Sequence, residues 1–292
     1  MAYYYPYQQN VPVIKTLRLR IETEDPLYLG QKKLKMRGKD LIRLPEALFN
    51  IIELEVLDLS PERQSCLDYK LTTLPRSIGK LVNLTVLVLD TNELSALPQE
   101  ICKLRNLERL ALSNNMLSSL PSGFKQLDKL QSLHMANNEF EDFPDEICEL
   151  KSLEFLDMSD NLLTKLPNQI QNLKNVHTLL LFGNKLSILP DSICSMKELR
   201  CIWLGNNLIR DLPRDFGKLK HIDWELHYTS TALDGNPLVH PPIEICRLGS
   251  DAIDRYLTSS KNLSGTPRDS SLSPQDNVSG SLQDDTDNNS LD

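Results

Sequence analysis

Large apolar residues recur at a fixed spacing along most of the chain. One representative stretch, 107–129, has apolar residues at Leu107, Leu110, Leu112, Leu117, Leu120, Phe124 and Leu127. The alternation Leu110-Ala111-Leu112 predicts a short β-strand with one buried face, because successive side chains of a strand point to opposite sides. One such unit cannot bury its own leucines, so we expect only a stack of units to be stable.

Two further residue types keep the same period. Asparagines lie 23 residues apart, and a proline follows each by six positions; the asparagines are Asn92, Asn115, Asn138, Asn161, Asn184 and Asn207. An asparagine amide can satisfy backbone groups where the chain turns away from a strand, so stacked units predict an asparagine ladder. Proline has a fixed φ and no N–H, which suits an irregular segment, and the Ile or Phe three residues later is expected to reach back into the core.

The repeating unit resembles the leucine-rich repeat, LxxLxLxxNxLxxLPxxIxxL, over about nine units from near Leu34 to Leu248. The resemblance implies an α/β repeat fold, a curved horseshoe with a parallel sheet on the concave side and an irregular or short helical convex side. The chain then divides into an N-terminal cap region (1–33), the solenoid (34–248), a C-terminal capping helix (249–257) and a disordered, acidic, Ser-rich tail (258–292).

Both ends depart from the repeat, because the outermost core of a solenoid must be covered. The apolar residues of 11–21 predict a lid strand at the N-terminal end; they are Ile14, Leu17, Leu19 and Ile21. At the other end, Ile253, Tyr256 and Leu257 are expected to close the core. The tail beyond has almost no large apolar residue to offset the entropy cost of ordering it.

Two insertions interrupt the period, near 60–70 and 223–235. Pro45 and Pro75 lie 30 residues apart, and Asn207 and Asn236 lie 29 apart. Both insertions are expected to fall between a strand and the following asparagine position, and therefore to emerge from the same edge of the solenoid. They are either surface loops, which cost little closure entropy, or part of a binding face.

Composition limits the class of protein. The formal net charge is -8, whereas a protein that binds the nucleic-acid backbone needs clustered Lys and Arg, so nucleic acid is not an expected partner. No apolar run reaches the roughly 18 residues that a membrane span needs, and the first twenty residues do not resemble a secretion signal. We therefore expect a cytoplasmic protein that is monomeric by itself, with its six cysteines as thiols.

No catalytic or metal-binding pattern stands out, so we expect neither an enzyme nor a cofactor. Cys102, Cys148 and Cys194 each follow the apolar Ile of a repeat, as does Cys246. The first three recur in alternate repeats, roughly 10 Å apart at about 4.8 Å per layer, too far for a disulfide or a shared zinc. His134 and Asp157 are expected to be neighbours, but a polar pair on a solvated sheet explains them without an acid–base role.

The residues between the buried strand leucines are expected to face the concave side. Apolar side chains fall there on three neighbouring repeats, at Phe155, Leu180, Phe182 and Trp203. Exposed aromatic residues are typical of an interface centre, so we expect these to anchor a partner, unless the second insertion or the tail covers them. The expected polar rim and its neighbours are Asp90, Arg109, His134, Asp157 and Val88.

The LxxLPxxI ending of each unit and the closing segment GNPLVHPP resemble the intracellular leucine-rich repeats of Ras-pathway scaffolds, including the Ras-suppressor protein and LAP-type polarity proteins. The resemblance implies a non-enzymatic scaffold or adaptor in intracellular signalling, with a small GTPase or a phosphatase among the expected partner proteins. The alternative is a regulatory or substrate-recognition subunit of a phosphatase or ubiquitin-ligase type complex.

Overall fold

The computed structural model describes residues 10–61, 69–224 and 232–259. Eight short parallel strands form one sheet in chain order. The strands are β1 Lys33–Lys35, β2 Val56–Asp58, β3 Val86–Val88, β4 Arg109–Ala111, β5 Ser132–His134, β6 Phe155–Asp157, β7 Thr178–Leu180 and β8 Cys201–Trp203. The predicted leucine-rich-repeat solenoid is confirmed, with this sheet on its concave side.

A single register runs through the sheet. The central residue of each strand is Leu or, in β8, Ile; it is buried, and it pairs with the central residue of the next strand. A slip by one residue would turn these leucines to solvent, so burial of one face fixes the register.

Short 3-10 helices lie opposite the sheet. Among the described residues they span Gly38–Leu41, Glu46–Asn50, Arg76–Lys80, Gln99–Lys103, Phe124–Gln126, Asp145–Glu149, Asn168–Asn172, Asp191–Ser195 and Phe216–Lys218. Six of them start directly after a proline whose φ lies between -63° and -73°. The Ile or Phe three residues after the repeat proline is fully buried, as the sequence predicted.

The asparagine ladder is present. In Asn161, Nδ2 donates to the carbonyl oxygens of Met135 and Met158 at 2.9 and 3.1 Å, and Oδ1 accepts the N–H of Phe140 at 3.2 Å. The same three kinds of bond recur at each of the asparagines from Asn92 to Asn207. Each amide therefore joins its own repeat to the previous one.

The N-terminal end is closed by a helix, so the prediction of a lid strand was wrong. Helix α1 spans Asn10–Arg18; Leu17 enters the core and Ile14 packs against it. Ile14 and Leu17, three residues apart, lie on one face of this helix, and Ile21, beyond its end, packs partly buried against the same core. Leu19, which the strand would have placed inward, is 87% exposed.

The C-terminal end is covered by helices α2, Ile243–Cys246, and α3, Ser250–Ser259. Ile253 of α3 is fully buried, and Leu257 packs half-buried against the same core. Tyr256 is half-buried, and its hydroxyl lies 3.4 Å from Nδ1 of His240. Residues 260–292, which include nearly all of the predicted disordered tail, lie outside the described residues.

Trp224 ties the capping helix to the last repeat. Its Nε1 donates to Oγ of Ser250 at 2.8 Å, and the same hydroxyl donates to the carbonyl oxygen of Leu219 at 2.8 Å. By its place in the repeat, Trp224 corresponds to Cys201 on the concave face. Trp224 instead packs half-buried against the core, where it contacts the capping helix through Ser250.

Residues 62–68 and 225–231, which make up most of the two insertions, lie outside the described residues. The flanking hydrogen bonds still locate the extra residues. Asp223 N donates to Arg200 O, before β8, and Leu204 N donates to Ala232 O, after β8. Trp224 and Ala232, the described residues on either side of the gap, therefore occupy the register positions of Cys201 and Trp203, so the extra residues lie between these two positions. The expectation that both insertions follow a strand was wrong for this one, because 29-residue spacing alone does not locate the extra residues within a repeat.

Candidate functional site

Three neighbouring strands bring the predicted apolar anchors together. Leu180 of β7 pairs in register with Trp203 of β8, and Phe155 of β6 lies one row earlier, opposite Thr178. Phe182 follows Leu180 by two residues, on the same face of the chain. We call Phe155, Leu180, Phe182 and Trp203 the concave patch. With strands about 4.8 Å apart, the patch extends over roughly 10 Å across the sheet.

The four members of the concave patch differ in exposure. Phe155, Phe182 and Trp203 are half-buried, whereas Leu180 is only 9% exposed. Leu180 was expected to project as an anchor, but little of its side chain is accessible. Its register partners are Asp157 and Trp203, so it lies within the patch between more exposed residues.

Small residues flank Phe182 on both sides. Asp160 N donates to the carbonyl of Phe182 at 2.7 Å, and Gly183 N donates to that of Gly205 at 3.0 Å. The same-face neighbours of Phe182 are therefore Ser159 and Gly205. The half-buried Phe182 therefore has no bulky side chain in register on either neighbouring segment. Gly205 was not among the predicted site residues. Its position two residues after Trp203 would have placed it on the same face.

His134 borders the patch on β5. Its ring lies 4.6 Å from that of Phe155, centroid to centroid, and its Nε2 lies 2.9 Å from Oγ of Ser132. Burial, and after it the positive charge of Arg109, lower its pKa from 6.5 to about 4, with Asp157, in register on β6, opposing the change. The ring is therefore neutral at pH 7 and packs beside Phe155.

Three carboxylates lie along the same face. Oδ1 of Asp90 accepts the N–H of Ser113 at 2.7 Å, and Oδ1 of Asp157 accepts that of Ser159 at 2.9 Å. Burial raises the pKa of Asp90. Burial is the larger cause and the negative charge of Asp157 the smaller cause of a raised pKa at Asp160. Asp160 was not among the predicted site residues, although its position directly before the ladder asparagine Asn161 can be read from the sequence.

The remaining predicted residues lie nearer the N-terminal end. Arg109 of β4 is exposed, and Val88 of β3 is half-buried opposite Ala111. They are separated from the concave patch by His134 on β5. The predicted polar residues thus lie on strands β4 to β6 or, for Asp90, two residues after the end of β3.

The described residues contain no group of three potential metal ligands among His, Cys, Asp and Glu. The described cysteines are all free. Burial raises the pKa of Cys148, Cys194 and Cys246 to about 12, so these thiols are protonated at pH 7 and are weak nucleophiles. None of the described helices is long and apolar enough to span a lipid bilayer.

Family models agree with this architecture. A model of the leucine-rich repeat region matches residues 54–161, and a model of the single leucine-rich repeat matches 152–173. The chain contains leucine-rich repeats. No curated protein sequence matches it.

Several solved structures resemble this chain. A leucine-rich-repeat protein of Leptospira interrogans is 32% identical with a TM-score of 0.61, over 71% of this chain and 55% of that one. The plant peptide hormone receptor RGFR1, solved in complex with RGF2, is 27% identical with a TM-score of 0.53, over 72% and 31%. The ectodomain of the receptor kinase GASSHO1/SCHENGEN3 of Arabidopsis thaliana is 28% identical with a TM-score of 0.54, over 67% and 23%.

In these three matches the chain spans between 23 and 55% of the length of the solved proteins. The agreement therefore concerns the repeat solenoid, and the functions of the whole proteins are not carried over by it.

Proposed function

We propose that the chain is a non-enzymatic protein-interaction scaffold or adaptor that binds partner proteins through its concave face. The observation that supports this most directly is the concave patch, where three half-buried aromatic residues and Leu180 lie on neighbouring strands of one sheet face. Aromatic residues grouped at the centre of a surface are the composition of an interface hot spot. The polar rim, with Arg109, His134 and Asp157, would set orientation and partner choice more than affinity.

The setting that we propose is intracellular signalling in the cytoplasm, in pathways of Ras-type small GTPases. The support is the LxxLPxxI ending of the repeats. A separate observation supports the binding of a partner: the RGFR1 solenoid, 27% identical to this one, was solved in complex with RGF2. We further propose that the chain is a monomer until it meets its partner.

The test is affinity capture from cell lysate with the wild type and the double variant Phe182→Ala, Trp203→Ala. A matched control, Ile52→Ala, Ile188→Ala, removes apolar side chains that are 56 and 72% exposed elsewhere. All three proteins must first show the same melting temperature. We expect the patch variant alone to lose one set of proteins, because truncation of hot-spot aromatics typically costs about 2 kcal/mol or more each.

Unchanged capture by the patch variant would contradict the proposal and move the binding site to the insertions or the tail. The captured complex also separates the two classes of function. If it dephosphorylates or ubiquitylates a substrate, the chain is a regulatory or substrate-recognition subunit instead of a scaffold.

A further inference from the structure

We infer that the partner segment on the concave patch carries a lysine or arginine side chain, seated against the ring of Phe182 between the carboxylates of Asp157 and Asp160. This inference rests on the proposed function of the concave patch and adds the chemistry of the occupant. Three observations support it: the small residues beside Phe182, the absence of salt bridges to the two carboxylates among the described residues, and the paired carboxylates at the other end of the sheet.

The backbone brings these three side chains into one neighbourhood. Asp160 N donates to the carbonyl of Phe182, so the two residues are on neighbouring strand extensions. Asp157 lies two residues before Ser159, on the same face of its strand. Ser159 and Gly205, the residues in register with Phe182, have no bulky side chain to cover its ring. A long, slender side chain with a charged end therefore has an aromatic surface to lie on and carboxylates at its end.

Neither carboxylate is neutralised within the described residues. No salt bridge between described residues reaches Asp157 or Asp160, and Oδ1 of Asp157 accepts a hydrogen bond from the N–H of Ser159. The two carboxylates repel each other, and this repulsion contributes to the raised pKa of Asp160. A cation placed between them would replace the repulsion with two attractions.

The N-terminal end of the same sheet face shows the opposite arrangement. Nζ of Lys33 lies 2.5 Å from Oδ2 of Asp25, and Nζ of Lys35 lies 2.6 Å from Oδ2 of Asp58. Carboxylates there are already paired with lysines of the chain itself. Charge complementarity therefore directs a cationic partner group to the end of the face where the aromatic rings are.

Phe182 favours a cationic side chain over a metal ion. A Lys or Arg group within about 6 Å of an aromatic ring is attracted by the negative face of the ring, and its aliphatic stem packs on the ring. A metal ion would need more oxygen ligands than two carboxylates, and the described residues form no such group. The occupant is thus a cationic side chain flanked by apolar residues that cover Trp203 and Phe155.

The test uses the full chain and a phage-displayed library of random twelve-residue peptides. Selected peptides are synthesised and their Kd is measured for the wild type, for Asp157→Asn, Asp160→Asn, and for a control, Asp145→Asn, Asp191→Asn. The control changes the net charge equally, at exposed residues of the 3-10 helices. We expect peptides with Lys or Arg between apolar residues, at least about tenfold weaker binding to the concave variant, and less than about twofold change in the control.

Replacing the critical arginine of a peptide with citrulline, or the lysine with norleucine, should weaken wild-type binding to the same degree as the concave variant. Selection of neutral or acidic peptides, or equal Kd values for the wild type and the concave variant, would overturn the inference. Binding of the selected peptides to Phe182→Ala, Trp203→Ala separates the two failures. If only this aromatic variant loses binding, the proposed function stands and the cation does not; if neither variant loses binding, both fail.

Discussion

At the scale of the residue, the ladder asparagines connect the sequence period to the stability of the stack. Asn161 is 4% exposed, and its amide bonds to backbone groups of two successive repeats. The residue before each ladder asparagine from Asn92 to Asn207 has a positive φ; these residues are Thr91, Asn114, Asn137, Asp160, Gly183 and Asn206. Asn and Asp tolerate this left-handed conformation better than other residues with a side chain, which explains their frequency there.

Replacement of Asn161 by alanine should lower the free energy of unfolding by about 3 kcal/mol, because it leaves buried backbone groups without hydrogen-bond partners. Urea denaturation measures the loss. Asn175 offers a matched control, since its Nδ2 donates to the carbonyl of Lys151 at 2.8 Å on the exposed surface. Asn175→Ala should cost less than about 1 kcal/mol, and an equal loss in both variants would contradict the role of the ladder.

His134 should make stability depend on pH. The folded-state pKa is about 4 and the ordinary value is 6.5, so between these pH values the unfolded chain holds a proton that the folded chain does not. Stability should therefore fall as the pH is lowered through this window. Relative to His134→Gln, the wild type should lose about 1 to 2 kcal/mol between pH 7 and pH 4, allowing for water around a half-buried ring.

Urea denaturation at several pH values measures this difference. His221→Gln, which removes an exposed histidine, is the control for loss of an imidazole elsewhere in the solenoid. Parallel pH profiles for the wild type and His134→Gln would show that the ring titrates normally in the folded protein.

At the scale of the element, the capping helix α3 shows how closely the last repeat is covered. A Cβ atom on Gly217 would lie 2.4 Å from the backbone nitrogen and 2.6 Å from Cα of Asp254 in α3. The 3-10 helix Phe216–Lys218 and α3 therefore touch backbone to backbone. Glycine is required at this position because only a residue without a side chain permits the contact.

Gly217→Ala should destabilise the protein by about 1 to 3 kcal/mol, because α3 must shift to relieve a clash with its backbone. Hydrogen exchange should report faster exchange of the α3 amides than of those in β3 to β6. Gly123→Ala is the control, since its nearest neighbour is Nε2 of Gln99, at 2.6 Å, in a side chain that can rotate. Equal destabilisation by the two substitutions would show that the backbone contact is not the cause.

At the scale of the whole molecule, one continuous core runs from Leu17 to Ile253. Each repeat contacts mainly its neighbours, so the stability of the stack depends on covered ends as well as on the repeats. Helix α1 covers the first repeat and α3 the last, and each contributes residues to the same core.

Two truncations test the contribution of the C-terminal cap. Ending the chain after Gly249 removes α3 and exposes the core beneath Ile253, and should lower the melting temperature by roughly 10 °C, the effect of a few kcal/mol in a protein of this size. Ending it after Ser259 keeps α3 and should leave the melting temperature within about 2 °C of the wild type. Differential scanning calorimetry measures both, and equal melting temperatures would contradict the capping role.

Much of the fold could be predicted because the period of leucine, asparagine and proline acts through local and nearest-neighbour contacts. The strand residues Phe155, Leu180 and Trp203 were placed on one face for the same reason, since alternation along a strand decides which side chains face outward. That a partner binds there stays a prediction. The lid strand failed because Ile14 and Leu17 fit a helical face, and the second insertion was misplaced because a count of residues does not locate them within a repeat.

The sequence by itself determined the repeating strand, the ladder and the class of solenoid, since each of these depends on interactions that recur in every unit. Only the tertiary structure decided which side chains of the concave face are covered and which remain open. The burial of Leu180, which pairs with Asp157 and Trp203, and the placement of Phe182 between Ser159 and Gly205 both involve residues from different repeats. Such contacts depend on the stacking of repeats in three dimensions, and the one-dimensional period carries no information about the side chains that vary within it.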